Sequence, residues 1–149
     1  MKHQSTETKG TRWFRFRALA IVLSALVLVA VVGLFLWVAP FYKLAQQWES
    51  AQAAKNISAM EELYCWDGVD AETRQRMHLL LLQEFDYPVK SVRVVRWRDT
   101  GSSERWRANL QPIAQLNVTF NNPEHFQVSF MIGRTEAGAC KLAIMVPKP

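Results

Sequence analysis

The sequence predicts an α+β protein: one N-terminal transmembrane helix, then two or three helical segments packed on a curved four-stranded antiparallel sheet. Three observations predict it. The stretch from Ala18 to Ala39 carries no charged residue. Apolar residues then recur at spacings of three and four as far as Phe85, and beyond Pro88 they alternate with a period of two. With 50% hydrophobic and 21% charged residues in 149, and only 6 Gly and 6 Pro, the composition excludes a disordered chain, a collagen and a disulfide-dense miniature scaffold.

At about 1.5 Å per residue, a helix from Ala18 to Ala39 reaches roughly 33 Å, enough to cross a hydrocarbon core of about 30 Å. Lys2, Lys9, Arg12, Arg15 and Arg17 precede it with only Glu7 between them, whereas a lone Lys43, answered by Glu49, follows it. The positive-inside rule makes residues 1–17 a basic cytoplasmic tail, 18–39 the span and 41–149 an extracytoplasmic domain, periplasmic if the membrane is an inner membrane. Trp13, Phe14 and Phe16 before the span, and Trp37, Phe41 and Tyr42 after it, fit interfacial belts. A cleaved signal peptide has an apolar region of about 7 to 15 residues and a small-x-small end. Here Trp37 and Lys43 occupy the critical places before Ala39 and Ala45, so the segment reads as a retained signal anchor. Most of the formal charge of +5 sits in the tail. Overall basicity is therefore no argument for nucleic acid, and the partner it implies is the lipid bilayer.

Past the span, Phe41, Leu44, Trp48 and Ala51 form a helical stripe. Ser58 with Glu61 three residues on has the form of a capping box, which predicts a break near Asn56 and a restart toward Met60, Leu63 and Tyr64. Cys65 to Val69 reads as a turn, after which Asp70 caps a helix through Phe85. Met77, Leu80, Leu81 and Phe85 give that helix a core face, and Leu79 and Leu82 widen it, so it is expected to be covered by its neighbours. Pro88 ends it. Of the strands, the second has the cleanest alternation: Trp106, Ala108, Leu110, Pro112, Ala114, Leu116, Val118 and Phe120 on one face, Arg107, Asn109, Gln111, Gln115, Asn117 and Thr119 on the other. Pro112 marks an edge or a bulge. Phe126, Val128, Phe130 and Ile132, then Cys140, Leu142, Ile144 and Val146, continue the pattern.

Both cysteines, Cys65 and Cys140, lie beyond the span. An oxidising compartment makes a disulfide between them the expectation, with two buried free thiols as the alternative. If Asp99 to Glu104 is a hairpin loop, Arg98 faces Arg105, Trp97 faces Trp106 and Arg96 faces Arg107, with both tryptophans toward the core and four arginines outward. Like charges across a ladder are destabilising, so Arg96, Arg98, Arg105 and Arg107 are the candidate site for an anionic partner. Solvation and the flanking Asp99 and Glu104 are the plainer explanation. Metal, phosphate-loop and nucleophile-elbow spacings are absent from the sequence, which calls for no cofactor and shows no catalytic constellation.

The run Trp48-x-x-Ala51 through Asn56, Ala59-Met60 and Leu63-Tyr64, followed by a helix and long bent strands, resembles the NTF2-like cone domains, and next to them the cystatin-like periplasmic domain of VirB8-type secretion proteins. The resemblance covers about Ala45 to Val146. The chain departs from the family in lacking an extra helix and short hairpin before the main sheet. Enzymatic members place Asp, His or Tyr in the cone, which makes Tyr64, His78, Glu84 and Tyr87 the positions to inspect. The resemblance implies a membrane-anchored binding or assembly module, an accessory or scaffold component with protein partners in a membrane complex. The alternative is a small apolar ligand in a cone lined by Tyr64, Trp97, Trp106 and Phe130. A third reading makes the span the working part, packing through Ala20 and Ser24.

Overall fold

The computed structural model describes residues 9–98, 105–121 and 126–148, with side chains from Arg17 onward apart from Ala18. The chain divides into two compact units, Met1–Val38 and Ala39–Pro149. The helix α1 (Lys9–Ala53) runs through both and contains Pro40 close to their boundary. Its segment Leu19–Ala53 has a mean hydropathy of 3.1 at its most apolar stretch, none of which is buried, and is long and apolar enough to cross a membrane. Ser24 turns its hydroxyl back onto its own helix, donating to the Ala20 carbonyl at 2.6 Å. A polar side chain is satisfied there without a partner helix.

The second unit is α+β. The end of α1 contributes Phe41, Leu44, Trp48 and Ala51 to the core, as the helical spacing requires. Lys55 adopts a left-handed conformation (φ 50°) and breaks the helix. The break is capped by Asn56, whose side chain accepts from the Ala59 N–H at 3.1 Å, so Ser58 falls inside α2 (Ile57–Glu61) instead of capping it. Asp70 caps α3 (Ala71–Glu84) through the Thr73 N–H at 2.8 Å, as its sequence position predicts. Of the four leucines in a row, however, only Leu81 is buried. Leu79, Leu80 and Leu82 are 59%, 53% and 42% exposed, because no element among the described residues covers that side of α3.

The main sheet has four antiparallel strands in the order β1 (Val89–Arg96), β3 (Pro112–Phe120), β4 (Gln127–Arg134) and β5 (Cys140–Leu142). The inward residues Ala114, Leu116, Val118 and Phe120 of the central β3 are all buried, as the alternation predicts. The register slips between Pro112 and Ala114, the bulge that Pro112 signals. Before that proline the alternation misleads. Residues 106–108 leave the sheet as β2 (Trp106–Ala108) and pair with β6 (Met145–Pro147) in a separate two-stranded ribbon. The switch is held by Asn109, placed on the solvent face by its parity. Its side chain donates to the carbonyls of Cys65 (2.7 Å) and Asp67 (3.1 Å) and accepts from the Ile144 N–H (2.8 Å), while its own N–H donates to the Ile144 carbonyl (2.9 Å). The crossing is so close that a Cβ on Gly133 would lie 2.6 Å from Leu110 Cβ and 2.9 Å from the Gln111 carbonyl oxygen.

Two expectations are corrected by this topology. The arginines do not face one another across a hairpin: Arg96 pairs with Ala114 in the main sheet, Arg107 with Val146 in the ribbon. The proposed loop Asp99 to Glu104 lies outside the described residues. Cys65 and Cys140 are both free thiols. The segment after α2 runs parallel to β5, with Tyr64 opposite Leu142 and the Cys65 N–H donating to the Leu142 carbonyl at 2.9 Å, whereas Cys140 begins β5. This register carries Cys65 past Cys140 and out of disulfide reach. Burial pushes both thiols above their ordinary pKa.

Candidate functional site

The structure brings some of the residues singled out from sequence together and leaves others apart. Tyr64 and Phe130 come together: Tyr64 is buried, and its ring meets Phe130 edge-on at 6.3 Å, with Trp48 on Phe130 at 5.9 Å. Trp97 is half-buried and Trp106 is 44% exposed on the ribbon. Arg96, Arg98, Arg105 and Arg107 are exposed. His78 is set aside from the interior, its Nδ1 2.7 Å from Glu61 Oε1, where it ties α3 to α2. Glu84 and Tyr87 are where the structure concentrates its chemistry.

Glu84 ends α3. The helix has no basic residue in its last turn, so the carboxylate sits at the negative end of the helix dipole without compensation. Its backbone carbonyl is tied to α1 by Gln52, whose Nε2 donates to it at 2.9 Å. The carboxyl group itself is half-buried, and desolvation raises its pKa from 4.5 to about 7. Glu84 Oε2, Tyr64 OH, Gln52 Oε1 and Trp48 Nε1 are all buried without a hydrogen-bond partner among the described residues. Burial also pushes the Tyr64 hydroxyl well above its ordinary range. The nearby Glu84 charge adds to this, and the Trp48 indole N–H opposes it from outside hydrogen-bonding geometry. A buried polar atom left unpaired costs about 1–3 kcal/mol. The four come from α1, α3 and the turn after α2, with the Trp48 and Tyr64 groups close to each other.

On its other side Glu84 lines a cavity of about 460 Å³ between α3 and strands β3 and β4, walled by Leu80, Gln83, Tyr87, Phe120, Phe126 and Val128. The rings form a continuous wall: Tyr87 meets Phe120 at 6.1 Å and 64°, and Phe120 lies stacked on Phe126 at 6.1 Å and 22°. Phe120 is fully buried at the base, whereas Tyr87 and Phe126 are 40% and 52% exposed at the mouth. An apolar, partly open cavity with one ionisable group is the usual form of a small-molecule site. Periodicity alone could not find it, because its members come from a helix end, a turn and the ends of two strands. Among the described residues no group of three His, Cys, Asp or Glu side chains is placed to hold a metal ion.

The chain matches no protein-family model, and no curated protein is significantly similar to it.

Proposed function

We propose that the chain is a single-pass, membrane-anchored binding module, an accessory or scaffold component of a membrane-associated complex. Its basic end lies in the cytoplasm and its α+β domain outside, on the periplasmic side of an inner membrane. The bracketed apolar stretch and the charge asymmetry around it support that topology. We read the domain as an NTF2-like or cystatin-like cone, a reading supported by helices whose core residues pack with the inward face of an antiparallel sheet.

The observation that carries the binding role is the apolar surface left on α3 and beside it. Leu79, Leu80, Leu82, Tyr87 and Phe126 are each at least 40% exposed in a domain whose core is otherwise well filled. Exposed apolar side chains gathered on one helix and beside it are what an interaction surface requires. The occupant that fits the ridge is a protein partner presenting an apolar face. The test uses the full chain with a C-terminal tag, gently solubilised from membranes. The reading expects carbonate-resistant membrane retention, a tag reached by protease only from outside, and a discrete larger species on native gels. That species should be lost when Leu79, Leu80 and Leu82 are replaced by Ser. A tag protected from outside would reverse the topology, and an unchanged native species in the triple variant would remove the ridge as the partner surface.

A second reading is favoured by one specific observation, the cavity bearing Glu84: the domain takes a small, largely apolar guest between α3 and the sheet.

A further inference from the structure

The Glu84 cavity has a chemical bias that the shape of a generic apolar site does not explain. Its lining holds one acidic residue, Glu84, and, among the described residues, no basic one. Three aromatic rings stand in sequence beside that carboxyl, Tyr87 at the mouth, Phe120 at the base and Phe126 opposite, each 6.1 Å from the next. Ring faces carry negative potential, and a carboxylate beside them reinforces it. Both features select the same kind of guest. Leu80 and Val128 complete the wall with apolar surface for the body of such a guest.

From this the geometry points to the cavity as a binding site for a small organic ammonium cation, held by Glu84 and by the exposed rings of Tyr87 and Phe126 above the buried Phe120. This inference rests on the second reading above and gives it a ligand class. A carboxylate in apolar surroundings lacks solvation, and an arriving cation supplies the missing counter-charge. A neutral alcohol of the same size gains the apolar contact but not the ion pair, and an anion is repelled. The cavity volume of about 460 Å³ suits one such molecule. An ammonium group reaches a membrane protein from two sources, a free alkylammonium or the choline or ethanolamine headgroup of a lipid. Among the described residues the wall offers no cation for a headgroup phosphate, so the free ammonium is the better fit.

The experiment measures binding of hexylammonium, hexanol and hexanoate by calorimetry to the full chain, held in lipid discs of purely glycerol-type headgroups. The expected result is saturable hexylammonium binding at least tenfold tighter than hexanol, with hexanoate weakest. Glu84→Gln should abolish the preference for the cation and keep hexanol binding. Phe126→Leu, at an exposed position that does not threaten folding, should weaken hexylammonium several-fold more than hexanol. Equal affinity for cation and alcohol, in the native chain or with no change in Glu84→Gln, would overturn the cation assignment and leave the apolar cavity standing. Binding of none of the three would remove both. In discs of phosphatidylcholine, unchanged hexylammonium affinity supports the free cation, and loss of binding would reassign the site to the lipid headgroup.

Discussion

The two ends of the domain interior follow opposite rules. At the crossover into the ribbon, the side chain and the N–H of Asn109 are all bonded, and Met60, Leu116, Ile132 and Leu142 of the core are sealed from solvent. Around Glu84, by contrast, four polar atoms are buried without partners among the described residues, a cavity opens beside that residue, and leucines of α3 are exposed. The first end is closed by the chain itself. The second stays partly open, and the proposed binding role rests on that difference.

The comparison can be broken at either end. The largest effect belongs to the sealed one: Leu116→Ala, at a fully buried position of the central strand, should cost about 2–5 kcal/mol in denaturant melts of the full chain. A cost under about 1 kcal/mol would mean that this end is loosely packed.

At the open end the expected effect depends on pH. The unfolded Glu84 carboxyl titrates near 4.5 and the folded one at about 7, so between those values the folded state binds more protons. Stability from this group is fully present below pH 4.5 and is lost as pH rises through 7. Its size is at most about 3 kcal/mol at roughly 1.36 kcal/mol per pH unit, less the screening that partial exposure brings. Glu84→Gln should therefore flatten the pH dependence of the melting temperature and raise it above pH 7. Parallel curves for the two proteins would show that the carboxyl is solvated.

Asn109→Ala should cost about 2 kcal/mol, because it strips partners from two carbonyls and one N–H at the crossover. Asn109→Asp, which keeps the acceptor and loses both donors, should recover only part of that. The smallest effect is expected from replacing Arg96, Arg98, Arg105 and Arg107 with Gln. Since they do not oppose one another in a ladder, stability should stay within about 0.5 kcal/mol per position. A marked rise in melting temperature would mean that they repel one another after all.

What the sequence makes legible follows from which contacts are local. The helical stripe of Phe41, Leu44, Trp48 and Ala51, the Asp70 cap and the inward face from Ala114 to Phe120 are each written in spacings of two to four residues, and the structure keeps them. The strand switch at Asn109 is not local. Parity continues through Trp106 and Ala108 as if the strand did, and only the pairing with Met145–Pro147 shows that it has changed sheets. The cysteines mislead for a similar reason: compartment and count suggest a bridge, while the parallel register at Tyr64 and Leu142 decides the distance. Of the candidate site, Tyr64, Glu84 and Tyr87 were reachable through the family resemblance. Gln52, Phe120 and Phe126 were not, because each reads as an ordinary helix or strand residue until the fold brings them together.

The most direct test of the open end is a carboxyl-carbon NMR titration of Glu84 in the full chain, with and without hexylammonium. The account predicts a midpoint at about 7 in the free protein, moving down toward the usual carboxylate range near 4.3 once the cation is bound. A midpoint already near 4.3, unmoved by the ligand, would contradict it.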